Sequence, residues 1–298
     1  MSYFPTRILL ATDGSEDTLA ATRAAVDLAG RTGSELHVVH VFEFIPVREY
    51  AGVALRMRSP MELEEEAQRT LEQEVEDIEE IGGVVADARM RLGSPAGQIL
   101  SAAREIEAGL IVMGRRNLGD MKRLFSGSIS EKVLRHAECP VLTLRGVEDA
   151  WPPARVVISD DFSVNAREAG ELAASIGSLY GAEGLLVHVY LSPSEDALRS
   201  DPRLSEHDLE QIEADLRDRT GDLERILGGR VGVELVQGRG VAGEIARSPI
   251  EATRDVKGAT LISVGRREFG KLRRMRAGSV STEIARVAAG PVLVCPHS

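Results

Sequence analysis

Short apolar runs alternate with amphipathic stretches along the whole chain. The runs are four to eight residues long and rich in Leu, Ile and Val, as in strands buried on both faces of a parallel sheet. Between them, apolar residues recur every three or four positions, which predicts helices with one buried face. This alternation predicts an α/β fold with a doubly wound parallel sheet. In the first half, the predicted strands are 7–13, 35–42, 84–92, 110–113 and 140–144.

The predicted helices of the first half follow the same logic. A helix begins near Ser15, which is a suitable N-cap, and another spans 96–107 after Ser94 and Pro95. The helix over 61–81 has an apolar stripe and many glutamates. We interpret those glutamates as a solvated outer face rather than an acidic binding surface. The stripe consists of Leu63, Ala67, Leu71, Val75 and Ile78.

The second half of the chain repeats the first. The segment RVVISDD at 155–161 matches RILLATD at 7–13, and the tripeptide VHV at 39–41 returns at 187–189. Recurrence at a nearly fixed separation indicates a tandem duplication. We therefore predict two domains, 1–147 and 153–298, joined by a linker at 146–153 that contains two prolines.

Each half contains a strand, a basic glycine-bearing loop and a helix start. The first copy reads LIVMGRRNLGDMKRLFSGSIS at 110–130, and the second reads LISVGRREFGKLRRMRAGSVS at 261–281. Glycine lets the backbone approach a phosphate, and the unpaired N–H groups at a helix start point toward an anion. The two loops therefore predict phosphate or nucleotide sites.

Composition narrows the class of protein. A net charge of −11 argues against a general binder of nucleic acid or acidic membranes. No apolar run approaches the ~20 residues that cross a bilayer. The N-terminal stretch lacks the features of a signal peptide, so we expect a cytoplasmic protein. Two cysteines make neither a disulfide framework nor a metal site. His40 and His188 are expected to be hydrogen-bonded structural residues.

Four segments resemble the domain of the universal stress protein family, and the chain resembles a tandem two-domain member. The segments are ILLATDGSE at 8–16, HVVHV at 37–41, GSPAGQIL at 93–100, and 112–144. The resemblance implies two open five-stranded parallel-sheet domains with helices on both faces. Such domains are Rossmann-like and similar to the adenine-nucleotide α-hydrolases. It also implies that ATP binds at the carboxyl edge of the strands.

The resemblance also implies which residues bind the nucleotide. Asp13 would hydrogen-bond the adenosine, Val41 and Met113 would line the adenine pocket, and Arg116 would reach the phosphate tail. The ribose and phosphates would be held by Gly114, Gly127, Ser128, Ile129 and Ser130. The corresponding residues of the second half are Asp161, Val189, Val264, Gly265, Arg267, Gly278, Ser279, Val280 and Ser281.

Both halves depart from the family's glycine pattern. Asn117 and Glu268 replace its second glycine, and Asn tolerates a left-handed backbone better than Glu does. Phe162 stands where the first half has Gly14, and its ring is expected to crowd the turn. We therefore expect the first half to bind nucleotide better, although the second loop is more basic.

Three functions remain open at this point. The first is a stress-response regulatory protein that binds ATP, AMP or a related adenine nucleotide, with Mg²⁺ accompanying the phosphates. Little or no hydrolysis is expected, because a dedicated general base and a Walker lysine are lacking. The second is a nucleotide-free scaffold that acts by dimerisation or partner binding, with Pro-Val-Leu strands pairing between halves or protomers. The third, an adenylating enzyme, ranks last because residues 13–17 lack tandem glycines.

Overall fold

The computed structural model describes residues 4–43, 60–115, 129–146, 150–191, 204–238, 242–253, 257–266 and 280–296. These residues form two compact units. The amino-terminal unit comprises the described residues of Pro5–Ala137 and Leu144–Val147. The carboxy-terminal unit comprises those of Met1–Phe4, Glu138–Thr143 and Glu148–Ser298. The domain boundaries at 147 and 153 stay a prediction. Within the described ranges, no helix combines the length and apolarity needed to span a membrane.

The amino-terminal unit is built on four parallel strands in the order β3-β2-β1-β4. Its elements are β1 (Arg7–Thr12), a 3₁₀ turn (Glu16–Thr18), α1 (Leu19–Thr32), β2 (Glu35–Phe42), α2 (Pro60–Glu80), β3 (Val85–Leu92), α3 (Pro95–Glu105), β4 (Leu110–Gly114) and α4 (Ile129–His136). The predicted strands and helices of this half are found within a few residues of their expected bounds.

The carboxy-terminal unit has five parallel strands in the order β10-β9-β6-β7-β8. Its elements are β6 (Pro153–Asp160), α5 (Val164–Ser178), β7 (Glu183–Leu191), α6 (Leu204–Leu227), β8 (Val231–Gly238), α7 (Ala242–Glu251), β9 (Ala259–Gly265), α8 (Val280–Val287) and β10 (Val292–Cys295). Residues 141–143 of a further strand, β5 (Val141–Leu144), pair antiparallel with β10 in this unit.

Helices cover both faces of each sheet. In the amino-terminal unit, α1 contacts α2 while α3 contacts α4, and residues 8–12 of β1 are buried between the two layers. In the carboxy-terminal unit, α5 contacts α6 and α7 contacts α8. A strand buried on both faces needs apolar residues at every position, which is why the central strands read as continuous apolar runs. The predicted α/β fold, with a mostly parallel sheet and helices on both faces, is confirmed.

The prediction that Ser15 occupies an N-cap position is confirmed, but the capping hydrogen bond is not made by its side chain. A 3₁₀ turn begins at Glu16, and the Ser15 side chain makes no capping hydrogen bond. Its hydroxyl donates to the Asp13 carboxylate instead. In the second repeat, the equivalent Ser163 does cap its helix, since its Oγ accepts the N–H of Ala166 at 3.2 Å. The two repeats therefore begin their first helix differently.

Candidate functional site

Strand register brings the predicted residues of the first repeat to one edge of the sheet. Thr12 on β1 pairs with His40 on β2, and Ala11 pairs with Met113 on β4. The strands are parallel, so the residues that follow these pairs lie side by side at the carboxyl edge. These residues are Asp13, Val41 and Gly114.

The second repeat brings the equivalent residues together in the same way. Asp160 on β6 pairs with His188 on β7, and Ser159 pairs with Val264 on β9. The residues that follow are Asp161, Val189 and Gly265. Each repeat thus has an acid, a valine and a glycine at neighbouring strand ends.

The acid of each repeat is held in a turn of the same geometry. Asp13 Oδ1 accepts the N–H of Ser15 at 3.1 Å as well as its hydroxyl. Asp161 Oδ1 accepts the N–H of Ser163 at 3.0 Å and its hydroxyl in the same way. These are Asx turns, in which a carboxylate replaces a backbone acceptor. The Asp13 side chain is fixed by its own turn while the residue is exposed at the edge.

Gly114 and Gly265 each lie against the chain that enters the first helix of their repeat. A Cβ on Gly114 would lie 2.7 Å from the carbonyl oxygen of Asp17. A Cβ on Gly265 would lie 2.5 Å from the backbone nitrogen of Ala166. Packing alone therefore requires glycine at both positions, whether or not a phosphate approaches them.

Helices α4 and α8 supply the remaining described candidates. Ser130 and Ser281 are buried near the helix starts, whereas Ile129 is exposed and Val280 is half-buried. Seven predicted site residues lie outside the described residues: Arg116, Asn117, Gly127, Ser128, Arg267, Gly278 and Ser279. Glu268 lies outside them as well.

The turn at Phe162 keeps its geometry despite the bulky side chain. Phe162 has a left-handed backbone with φ of 62°, close to the 69° of Gly14. Its N–H donates to Asp160 Oδ1 at 2.6 Å, and its ring lies 4.3 Å from that of His188. A non-glycine residue in this conformation costs roughly 1–2 kcal/mol. The ring is thus placed against β7, and the Asx turn of the second repeat is retained.

The hydrogen bonds expected for the two strand histidines are present, while their structural role stays a prediction. His40 Nδ1 lies 3.1 Å from Glu74 Oε1, and His188 Nδ1 lies 2.8 Å from the carbonyl oxygen of Asp160. The interpretation of all the α2 glutamates as solvated is wrong for Glu74, which is buried. Arg219 on α6 is also buried and was missed.

A signal for both missed residues exists in the sequence. Glu74 lies between Leu71 and Ile78, three and four residues from buried positions of the α2 stripe. Arg219 lies between Leu216 and Leu223 in the same way. A charged residue at a stripe position is buried when the helix packs on the sheet.

Burial also shifts the pKa values of two ionisable groups near the sites. The pKa of Asp160 is raised above its ordinary value by burial, an effect that Arg219 partly opposes. Burial and the nearby Arg145 lower the pKa of the Arg115 guanidinium to about 9. Arg115 therefore keeps a desolvated positive charge at neutral pH, directly after β4.

The described ranges contain no group of three His, Cys, Asp or Glu side chains that could hold a metal ion.

These features define a class of protein. Each repeat is an open α/β domain with an acid-bearing turn and a glycine at the carboxyl edge of parallel strands. In such sheets the crevice at this edge is where small ligands bind.

The comparison with known proteins identifies the family. The universal stress protein family matches residues 5–145 and again residues 154–296, so this chain belongs to that family as a tandem two-domain member. A universal stress protein of Thermus aquaticus is 41% identical over 142 residues, 46% of this chain and 97% of that protein. Universal stress protein MJ0531 of Methanocaldococcus jannaschii is 33% identical over 140 residues, 47% of this chain and 81% of that protein.

A solved structure resembles the whole chain. The crystal structure of a universal stress protein from Archaeoglobus fulgidus has a TM-score of 0.65 at 24% identity, with 98% of this chain and 99% of that chain covered. The similarity supports the fold over both repeats.

Proposed function

We propose that the chain is a stress-response regulatory protein that binds ATP or a related adenine nucleotide at the carboxyl edge of its repeats. The observation that carries this proposal is the Asx turn, which recurs with matching hydrogen bonds at Asp13 and Asp161. A carboxylate fixed at a strand end can accept hydrogen bonds from two ribose hydroxyls. The neighbouring Val41 and Val189 would provide apolar contact for the adenine.

The basic loops complete the proposed sites. Gly127, Ser128 and their counterparts Gly278 and Ser279 would hold phosphates with backbone N–H and hydroxyl groups. Arg116 and Arg267 would contact the phosphate tail. We expect Mg²⁺ to arrive with the phosphates, because the described residues offer no ligand cluster of their own. We expect little or no hydrolysis, because the sequence lacks a Walker lysine.

The proposal is tested on the protein as purified. The protein is denatured and its supernatant is analysed for adenine nucleotides, and the melting temperature is then measured with added ATP. Ligand at 100 times its Kd stabilises the folded state by about 2.7 kcal/mol, which is a shift of several degrees. Asp13→Ala and Asp161→Ala should each reduce bound nucleotide, while Asp27→Ala on the surface of α1 should not.

A second candidate function is a nucleotide-free scaffold that acts by dimerisation or partner binding. It is favoured by the β5–β10 ladder, in which the Pro-Val-Leu segments of the two repeats pair antiparallel. Leu142 faces Leu293 in this ladder, and both are fully buried. This function replaces the first if the protein releases no nucleotide and added ATP leaves the melting temperature unchanged.

A further inference from the structure

A buried polar network lies directly behind the strand ends that carry Asp13 and Val41. Glu74 Oε1 is 3.3 Å from Thr12 Oγ1, which donates to it, and 3.1 Å from His40 Nδ1. Thr12 and His40 form the last pair between β1 and β2. One carboxylate oxygen from helix α2 therefore joins the ends of the two strands.

The same network reaches the turn that carries Asp13. Thr12 Oγ1 accepts the N–H of Gly14 at 3.2 Å and lies 3.3 Å from Thr18 Oγ1. A Cβ on Gly14 would be 2.9 Å from Glu74 Oε1, so the carboxylate also packs against the turn itself. Glu74 thus lies against the residues on both sides of Asp13, the Thr12 hydroxyl and Gly14.

The second repeat has a network at the same place, built from a different set of charged groups. Asp160 replaces Thr12, and Arg219 on α6 takes the place of Glu74, with its Nε 3.4 Å from Asp160 Oδ2. Arg219 Nη2 also donates to the carbonyl oxygen of Ser163 at 3.3 Å. Asp160 Oδ1 accepts the N–H of Phe162, and its carbonyl oxygen is bonded to His188. The chemistry differs, but both networks join the first strand, the second strand and the turn.

Stability alone does not account for either network. Glu74 and Arg219 are each 8% exposed, in stripes otherwise filled by apolar side chains. Glu74 Oε2 and Arg219 Nη1 are buried and lack a hydrogen-bond partner within the described part of the chain. A buried charge with an incomplete set of partners is commonly less stabilising than a well-packed apolar residue. Its presence in both repeats suggests that the strand ends must be held in one geometry.

We propose that Glu74 and Arg219 are positioning residues for the nucleotide sites. Glu74 would fix the position of Asp13 relative to Val41, and Arg219 would fix Asp161 relative to Val189. Side chains alternate between the two faces of a strand, so the side chains of His40 and Val41 lie on opposite faces of β2. The network therefore contacts the strands on the face opposite the proposed adenine contact. This inference rests on the proposed nucleotide binding.

The test uses the full chain in an Asp161→Ala background, so that the first site is measured alone. Glu74→Leu removes the network, Glu74→Gln keeps its shape and one acceptor oxygen, and Glu76→Leu changes an exposed position of the same helix. ATP affinity is measured by calorimetric titration, with ribose triphosphate as the ligand that lacks adenine.

Loss of positioning should weaken the affinity of the Glu74→Leu variant for ATP about tenfold. This is the usual scale of coupling through packed networks. Ribose triphosphate should lose less affinity, because it does not use Val41. Glu74→Gln should restore most of the affinity, and Glu76→Leu should match the parent. Glu74→Leu leaves His40 Nδ1 and Thr12 Oγ1 without this partner, so its melting temperature without ligand should fall by a few degrees. Affinities are therefore compared well below that temperature, where both proteins are folded, which separates positioning from folding.

Three results would overturn the inference. If the parent does not bind ATP, the inference fails, and the proposed function fails as well only if the wild type does not bind ATP either. If the parent binds and folded Glu74→Leu binds equally well, only the inference fails. Should Glu74→Leu not fold, Thr12→Val breaks the same network from β1, and unchanged ATP affinity in that variant rejects the inference.

Discussion

Alanine at Gly265 should destabilise the carboxy-terminal unit. The added Cβ would lie 2.5 Å from Ala166 N, 2.7 Å from Asn165 C and 3.0 Å from Ala166 Cα. All three atoms belong to the backbone of the first turn of α5, so rotation of a side chain cannot relieve the clash. Overpacking of this kind typically costs about 1–3 kcal/mol. For a unit of this size that corresponds to a fall of about 3–10 °C in melting temperature.

The assay uses the single tryptophan of the chain. Trp151 lies in the carboxy-terminal unit, edge-on to Tyr180 with ring centres 5.5 Å apart. Its fluorescence therefore reports thermal unfolding of the unit that contains Gly265. The matched control is Gly221→Ala on α6 of the same unit, where the added Cβ would meet no neighbouring group within 4 Å. That change should stabilise its helix by up to about 1 kcal/mol.

The reasoning would be refuted by a Gly265→Ala protein whose Trp151 transition is at or above the wild-type temperature. Packing would then not be the reason for glycine at this position. Gly114→Ala, which meets Asp17 O at 2.7 Å, provides the same test in the amino-terminal unit, with circular dichroism as the probe.

Three other predictions concern single residues. The pKa of Asp160 is raised in the folded state, so the free energy of unfolding of the wild type, relative to that of Asp160→Asn, should fall as the pH rises from 3.8 through the folded pKa. Urea titrations from pH 4 to 7 measure this difference, and a wild type that gains stability over the variant with rising pH would contradict the prediction. Burial raises the pKa of the Cys139 thiol to about 11, so at pH 7 a maleimide should react with Cys139 far more slowly than it reacts with free glutathione. Equal reaction rates for the two thiols would show that Cys139 is not shielded by burial. Gly33 ends α1 with φ of 70°, so Gly33→Ala should cost about 1 kcal/mol, whereas unchanged thermal unfolding would rule out the strain.

Local patterns were sufficient to predict most strands and helices. The apolar run at 35–42 coincides with β2, because a strand buried on both faces needs apolar residues throughout. The acid-bearing turns were likewise predictable, since Asp13 and Asp161 follow such runs in a repeated motif. The shared Pro-Val-Leu segments suggested pairing between halves or between protomers, but the sequence did not specify the antiparallel pairing of β5 with β10.

The polar networks behind the sites could not be predicted from the same patterns. Burial of Glu74 depends on where α2 meets the ends of β1 and β2, which local periodicity does not specify. Arg219 is stabilised by Asp160, a residue 59 positions earlier in the chain (219 − 160). Such pairs form only once the fold brings distant segments together. From the helical sequence alone, a charged residue is therefore predicted to be solvent-exposed.

The central claim is that the turns at Asp13 and Asp161 mark two adenine-nucleotide sites. Calorimetric titration with ATP tests it most directly, on the wild type freed of bound nucleotide, the two single alanine variants and their double variant. We predict up to two sites in the wild type, with the first stronger, selective loss of one site in each single variant, and no binding in the double variant. Equal binding by the wild type and a folded double variant would contradict the account.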